Sequence, residues 1–118
     1  MGASTIVARL KSNNTVISSG YRGNAHNLSS TSLAGVAFTS GFAGRRDSAT
    51  AMRNGYLLLV KISSNLWSCT GMIAGSDSVN TELICGTAEV ADVDGFLVTT
   101  NNGTDLFDAG TINVSWEF

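Results

Sequence analysis

The sequence predicts an all-β fold, a single antiparallel β-sandwich of jelly-roll type with seven to nine strands, and three observations carry that expectation. Gly, Ser, Thr and Asn fill 50 of the 118 positions while charged residues make up only 14%, against about 25% in an average domain. Such small polar residues favour turns and strands over helices. Proline is absent, where average usage would give about six. The hydrophobic pattern changes every eight to twelve residues, the spacing of short strands in a sandwich or barrel. With 43% hydrophobic residues, a chain of this length buries roughly two-thirds of its unfolded surface. One domain over 1–118 is expected, without repeat or linker.

Each element follows from its local pattern. Ser4–Lys11 alternates around Ile6, Ala8 and Leu10 and is the expected first strand, followed by an Asn13-Asn14 turn and an extended Thr15–Ser18. Ser19–Ser32 is rich in Gly, Asn and Ser and reads as a long loop anchored by Tyr21 and Leu28. Leu33–Phe42 reads as a strand with Val36, Phe38 and Phe42 inward and a bulge at Gly41. Gly44–Asn54 is the one place for a short helix. Gly55–Ser63 is the strongest strand, and its continuous apolar run predicts burial on both faces. Ser63-Ser64-Asn65 turns the chain into Leu66–Ile73, with Trp67, Cys69 and Gly71 on one face and Trp67 in the core. After a loop at Gly75–Thr81, Glu82–Val90 and Gly95–Thr100 read as strands joined through Asp92-Val93-Asp94-Gly95. Asn101-Asn102-Gly103 is a turn, and Thr111–Phe118 alternates as a final strand.

Several classes of function are excluded on this reading. The longest apolar run, Leu57–Val60, is far short of the ~20 residues that span a bilayer. The first residues show no basic segment leading into an apolar stretch, so no export signal is expected. A net charge of −2 and a pI near 5.1 argue against a nucleic-acid binder. Cys69 and Cys85 do not make a disulfide framework and are expected to be reduced and buried. The single histidine, His26, is expected to be solvated in its loop, and no Gly-x-Ser-x-Gly elbow surrounds any serine. The pairs Asp92/Asp94 and Asp105/Asp108 read as turn residues rather than catalytic carboxylates. Two cysteines and one histidine fall short of a structural zinc set, and no phosphate loop exists. No enzyme activity, cofactor or metal is expected.

The charges are segregated. All seven bases lie in the first 61 residues with only Asp47 against them, giving +6; residues 62–118 hold eight acids and no base, giving −8. Opposite halves attract, either within one chain or between the basic patch of one copy and the acidic patch of the next.

Three stretches carry a resemblance. Asn65-Leu66-Trp67-Ser68 follows the strongest strand, and Thr99-Thr100-Asn101-Asn102-Gly103-Thr104-Asp105 runs on into Phe107-Asp108-Ala109-Gly110-Thr111-Ile112-Asn113-Val114-Ser115-Trp116-Glu117. Together with the hairpin at Gly55–Ile73, they resemble a β-sandwich module of tailed-bacteriophage virion proteins that closes many tail-fibre and surface chains. The resemblance covers 55–118, and Phe-Asp-Ala-Gly-Thr-Ile-Asn-Val is its most specific part. It implies a non-catalytic virion structural role and a homo-oligomer, commonly a trimer, with a dimer as the other choice. Fibre proteins carry a long amino-terminal stalk that these 118 residues lack, which points to a capsid decoration or cement protein bound to the major capsid protein. Such a protein is made in the host cytoplasm and has no nucleic-acid or membrane partner.

Arg45, Arg46, Trp116 and Phe118 are the expected subunit or capsid contacts. In the last strand, Ile112, Val114 and Trp116 share one face, with Phe107 and Ile112 closing over the core. The alternatives are a tail-fibre tip reading host sugar through Tyr21 and Tyr56, and a small lectin-like module unrelated to phage.

Overall fold

The computed structural model describes residues 5–30, 33–44, 52–76, 81–107 and 109–117. Among them are nine strands and no helix: β1 (Ile6–Ser12), β2 (Thr15–Val16), β3 (Tyr21–Leu28), β4 (Leu33–Phe38), β5 (Phe42–Ala43), β6 (Arg53–Lys61), β7 (Leu66–Gly75), β8 (Thr81–Glu89) and β9 (Val93–Thr100). They make two packed antiparallel sheets, as the all-β expectation requires. The smaller sheet centres on β1, paired along its length with β9, while the short strands β2 and β5 share its other edge. The larger has the order β4-β3-β8-β7-β6. The chain therefore changes sheet between β2 and β3, on either side of β5, and between β8 and β9.

Local chemistry explains the turns. Asn13 and Asn14 both take positive φ, 49° and 60°, the geometry a two-residue hairpin demands, and they join Ser12 to its partner Thr15. The Ser63–Asn65 turn closes the β6–β7 hairpin, with the Ile62 and Ser63 amides both donating to the Leu66 carbonyl. Between β4 and β5 the chain folds against β1. Arg9 Nε donates to the Ser40 carbonyl at 2.7 Å, and Gly41 sits so close to Val7 that a β-carbon there would collide with it.

The core lies between the sheets. Leu10 and Ala8 of β1 meet Tyr21, Ala25, Phe38, Phe42, Cys69, Ile84 and Ala88. Phe42 takes Tyr21 and Phe38 edge-on at centroid distances of 5.1 and 5.8 Å. The Phe38 ring lies over the cross-strand pair Gly23 and Gly86, where a β-carbon on either would come within 2.7 Å of it.

Tyr21 ties the two sheets together. On the edge of β1, β5 pairs with Val7 and Ala8 and β2 with Lys11 and Ser12, which leaves Leu10 in the gap between them. Its amide donates to Tyr21 Oη at 2.8 Å, and that hydroxyl donates to the Ile17 carbonyl at 2.9 Å. The Ile17 amide in turn reaches the Leu10 carbonyl.

Several expectations are corrected. The stretch read as a long loop contains β3, a strand flanked on both sides by β4 and β8, and His26 lies on it rather than in a loop. Val36 is exposed although Phe38 and Phe42 are buried, because β4 is an edge strand. β6 is also an edge strand, so only Leu57 and Leu59 pack toward the core while Tyr56, Leu58 and Val60 face solvent. Residues 111–117 form no strand and are exposed. The core stays closed without Phe107 and Ile112, both of which are exposed. Cys69 is buried as expected, but Cys85 is exposed. The expected helix falls mostly on residues outside the described ones; its last residues, Arg53 and Asn54, belong to β6. Trp67 packs against the core and shares its inward face with Cys69 and Gly71, as expected.

Tyr21→Phe keeps the ring but strands the buried Leu10 amide. A loss of about 1–3 kcal/mol is expected in urea unfolding, and an unchanged midpoint would show that the tether contributes nothing.

Burial pushes the Cys69 thiol up to about 12 from its ordinary 9.0, with Cys85 adding to the rise. Burial likewise raises Tyr21, partly offset by the Leu10 hydrogen bond and by Arg9. Both groups hold their protons more tightly folded than unfolded. The Cys69 contribution to stability is therefore complete below the ordinary thiol range and is lost as pH rises from 9.0 toward about 12, by at most about 1.4 kcal/mol per pH unit, and the Tyr21 contribution is lost only above its ordinary 10.0. The urea midpoint should fall across this interval, and less steeply in Cys69→Ala. With a thiol reagent at neutral pH, one cysteine, Cys85, should react in the folded protein and two in urea.

Candidate interaction surface

Side chains alternate across a strand, so the larger sheet has a second face that points away from the core. Cross-strand register sets its rows. Tyr56, Met72, Leu83, His26 and Gly35 lie side by side, next to the row Leu58, Thr70, Cys85, Asn24 and Ala37. A third row runs Val60, Ser68, Thr87 and Arg22. The His26 ring lies against Gly35, where an added β-carbon would come 2.7 Å from Cδ2. Tyr56 is 59% exposed, and Leu58, Val60, Met72 and Leu83 are exposed with it. Among the described strand residues, the Asp, Glu, Lys and Arg side chains on this face are Arg22 and Glu89, at one end of it. An apolar strip on a strand edge, nearly free of charge, is the kind of surface that marks contact with another macromolecule.

A second apolar feature follows β9. Thr100 is fully buried, and its hydroxyl donates to the Asp105 carbonyl at 2.9 Å. Asn102 Oδ1 accepts the Thr104 and Asp105 amides, each at 3.0 Å, and the Asn101 amide donates to the Thr5 carbonyl. These bonds hold the chain to the sandwich as far as Asp105. Beyond it, Leu106, Ile112, Val114 and Trp116 are exposed, Trp116 by 71%. The stretch keeps strand-like alternation yet belongs to neither sheet.

The expected site residues are distributed accordingly. Trp116 is exposed in the single chain. Arg45, Arg46 and Phe118 lie outside the described residues. Tyr56 sits on the outward face, but Tyr21 is 2% exposed with its hydroxyl engaged, so its ring is not offered to a sugar. Tyr56 and Trp116 therefore remain as surface aromatics from that set. Reading β6 as a doubly buried strand concealed the outward strip; the run Tyr56-Leu57-Leu58-Leu59-Val60 is apolar at every position and carries no period-two signal to show which side chains face outward.

The charges are also modified by the fold. Glu82 is 1% exposed and faces inward on β8, with its Oε2 2.8 Å from where a β-carbon of Gly44 would stand, so it adds nothing to an acidic surface. Arg9 and Lys11 are held by neutral oxygens, the Ser40 carbonyl and Asn14 Oδ1. Asp94 accepts the Asn14 amide at 3.0 Å and so fastens the β1–β2 turn. Among the described residues no three His, Cys, Asp or Glu side chains gather into a metal-holding group, and no helix is long and apolar enough to cross a membrane. No protein-family model, no curated protein and no solved structure matches this chain.

Proposed function

We propose that this chain is a non-catalytic structural protein of a tailed-bacteriophage virion, a decoration or cement protein that self-associates on the outer head surface and clamps neighbouring capsid subunits. The observation that carries this reading is the uncovered apolar strip of Tyr56, Leu58, Val60 and Met72 together with the exposed Ile112, Val114 and Trp116. Both are surfaces suited to burial against protein. The resemblance of residues 55–118 to virion β-sandwich modules supplies the setting. Decoration works by many modest contacts repeated over a shell, and a small rigid sandwich with one apolar flank suits that role.

A tail-tip protein reading host sugar is the second reading, favoured by the exposed ring of Tyr56. Aromatic faces offer sugars an apolar platform, and Tyr56→Ala should then abolish glycan binding without unfolding the sandwich.

Gold-labelled antibody imaging of purified particles separates the readings. Label spread over heads is expected for a decoration protein. Label confined to tail tips would transfer the assignment to receptor recognition, and particles without label would overturn both.

A further inference from the structure

We propose that the Thr111–Glu117 segment of one copy adds as a sixth strand to the free edge of β6 in a second copy. The inference goes beyond a virion role and stands without it, because it rests on two features of this chain alone.

The first is an acceptor. β6 is nine residues long and, among the described residues, its strand partner is β7 alone, so along Gly55–Lys61 its other edge has no ladder strand there. Natural edge strands are protected by proline, bulges, charge or a covering element. The interior of β6, Gly55–Val60, carries no charge and no proline, and its Tyr56, Leu58 and Val60 are exposed.

The second is a donor. Thr111-Ile112-Asn113-Val114-Ser115-Trp116-Glu117 alternates with period two and includes the β-branched residues Thr111, Ile112 and Val114. In an isolated copy it lies outside both sheets with its apolar members in water. Strand addition pairs both backbones and lets alternate side chains set the register.

Charge selects among the registers. With the segment parallel to β6, Ile112 lies beside Tyr56, Val114 beside Leu58 and Trp116 beside Val60, which brings Glu117 beside Lys61. The apolar residues then extend one continuous strip, and the acid–base pair closes its end. The contact is heterologous, a donor strand on one copy and an acceptor edge on the next. Repetition makes a closed ring where the rotation permits and a filament where it does not.

The test uses full-length chains with Cys85→Ser, which leaves only the buried Cys69. One copy carries Leu58→Cys and another Val114→Cys, both at exposed positions. Mild oxidation of the mixture should give a disulfide-linked pair containing one of each, and either variant alone should give none. In sedimentation, wild type should exceed the 12.3 kDa of one chain. Lys61→Glu should weaken assembly about two- to fivefold, as expected for a surface ion pair, and adding Glu117→Lys should restore it. An assembled wild type without cross-linking in the mixture would overturn the strand exchange while leaving self-association intact. A wild type that sediments as a single chain at 100 μM would overturn both, whereas head labelling of particles would bear on the virion role independently.

Discussion

Tyr21 is the interaction on which the sandwich depends. Among the described residues β1 is the only long strand of the smaller sheet with neighbours on both edges, and one of those edges is assembled from two fragments of two residues each. Such an edge leaves a hole in the ladder at Leu10, in the interior, where an unpaired amide is costly. A side chain from the opposite sheet fills it. The same ring is braced edge-on by Phe42, which sits on the β5 fragment, and Phe42 is braced by Phe38 from β4. Sheet pairing, ladder completion and aromatic packing therefore converge on one residue. The price of that convergence is that Tyr21 has no surface role.

The region around this tether was the least legible part of the sequence. Tyr21–Leu28 reads Tyr-Arg-Gly-Asn-Ala-His-Asn-Leu, which has low intrinsic preference for strand. It becomes one because β4 and β8 pair with it on both sides, and its glycine is required where Phe38 crosses Gly23 and Gly86. Tertiary pairing overrides propensity here, as it commonly does in sheets. By contrast, the β6–β7 hairpin, the Asn13-Asn14 turn and the inward set Trp67, Cys69 and Gly71 were legible, since each depends on residues close in sequence. What local pattern did not disclose was which strands lie at edges, and that distinction decides whether an apolar run is buried or exposed.

Edge position also explains why the two apolar features differ from ordinary core. In β6 the inward residues Leu57 and Leu59 pack against the core while their neighbours Tyr56, Leu58 and Val60 have the same hydrophobic character and no cover within the chain. Residues 111–117 show the converse case, a segment with the periodicity of a strand and no sheet to join. A sequence pattern records the environment in which residues are buried, and that environment need not be supplied by the same copy. Each feature lacks what the other offers, an open ladder edge on one side and an unpaired alternating segment on the other.

The segregated charges bear on which copy supplies the partner. In the smaller sheet the basic and acidic halves run side by side over the greatest length along β1 and β9. There Arg9 and Lys11 on β1 bond neutral oxygens and Asp94 on β9 bonds a backbone amide, while Arg53, Glu82 and Asp105 are each engaged elsewhere in the structure. Lys61 at the end of the open edge and Glu117 at the end of the exposed segment each lie in water-facing positions. Opposite charges placed at the ends of complementary strands contribute little affinity at a surface, but they penalise a slipped or reversed pairing. In the proposed strand addition the apolar side chains would supply the attraction, and the charges at the strand ends would set the direction in which one copy follows the next.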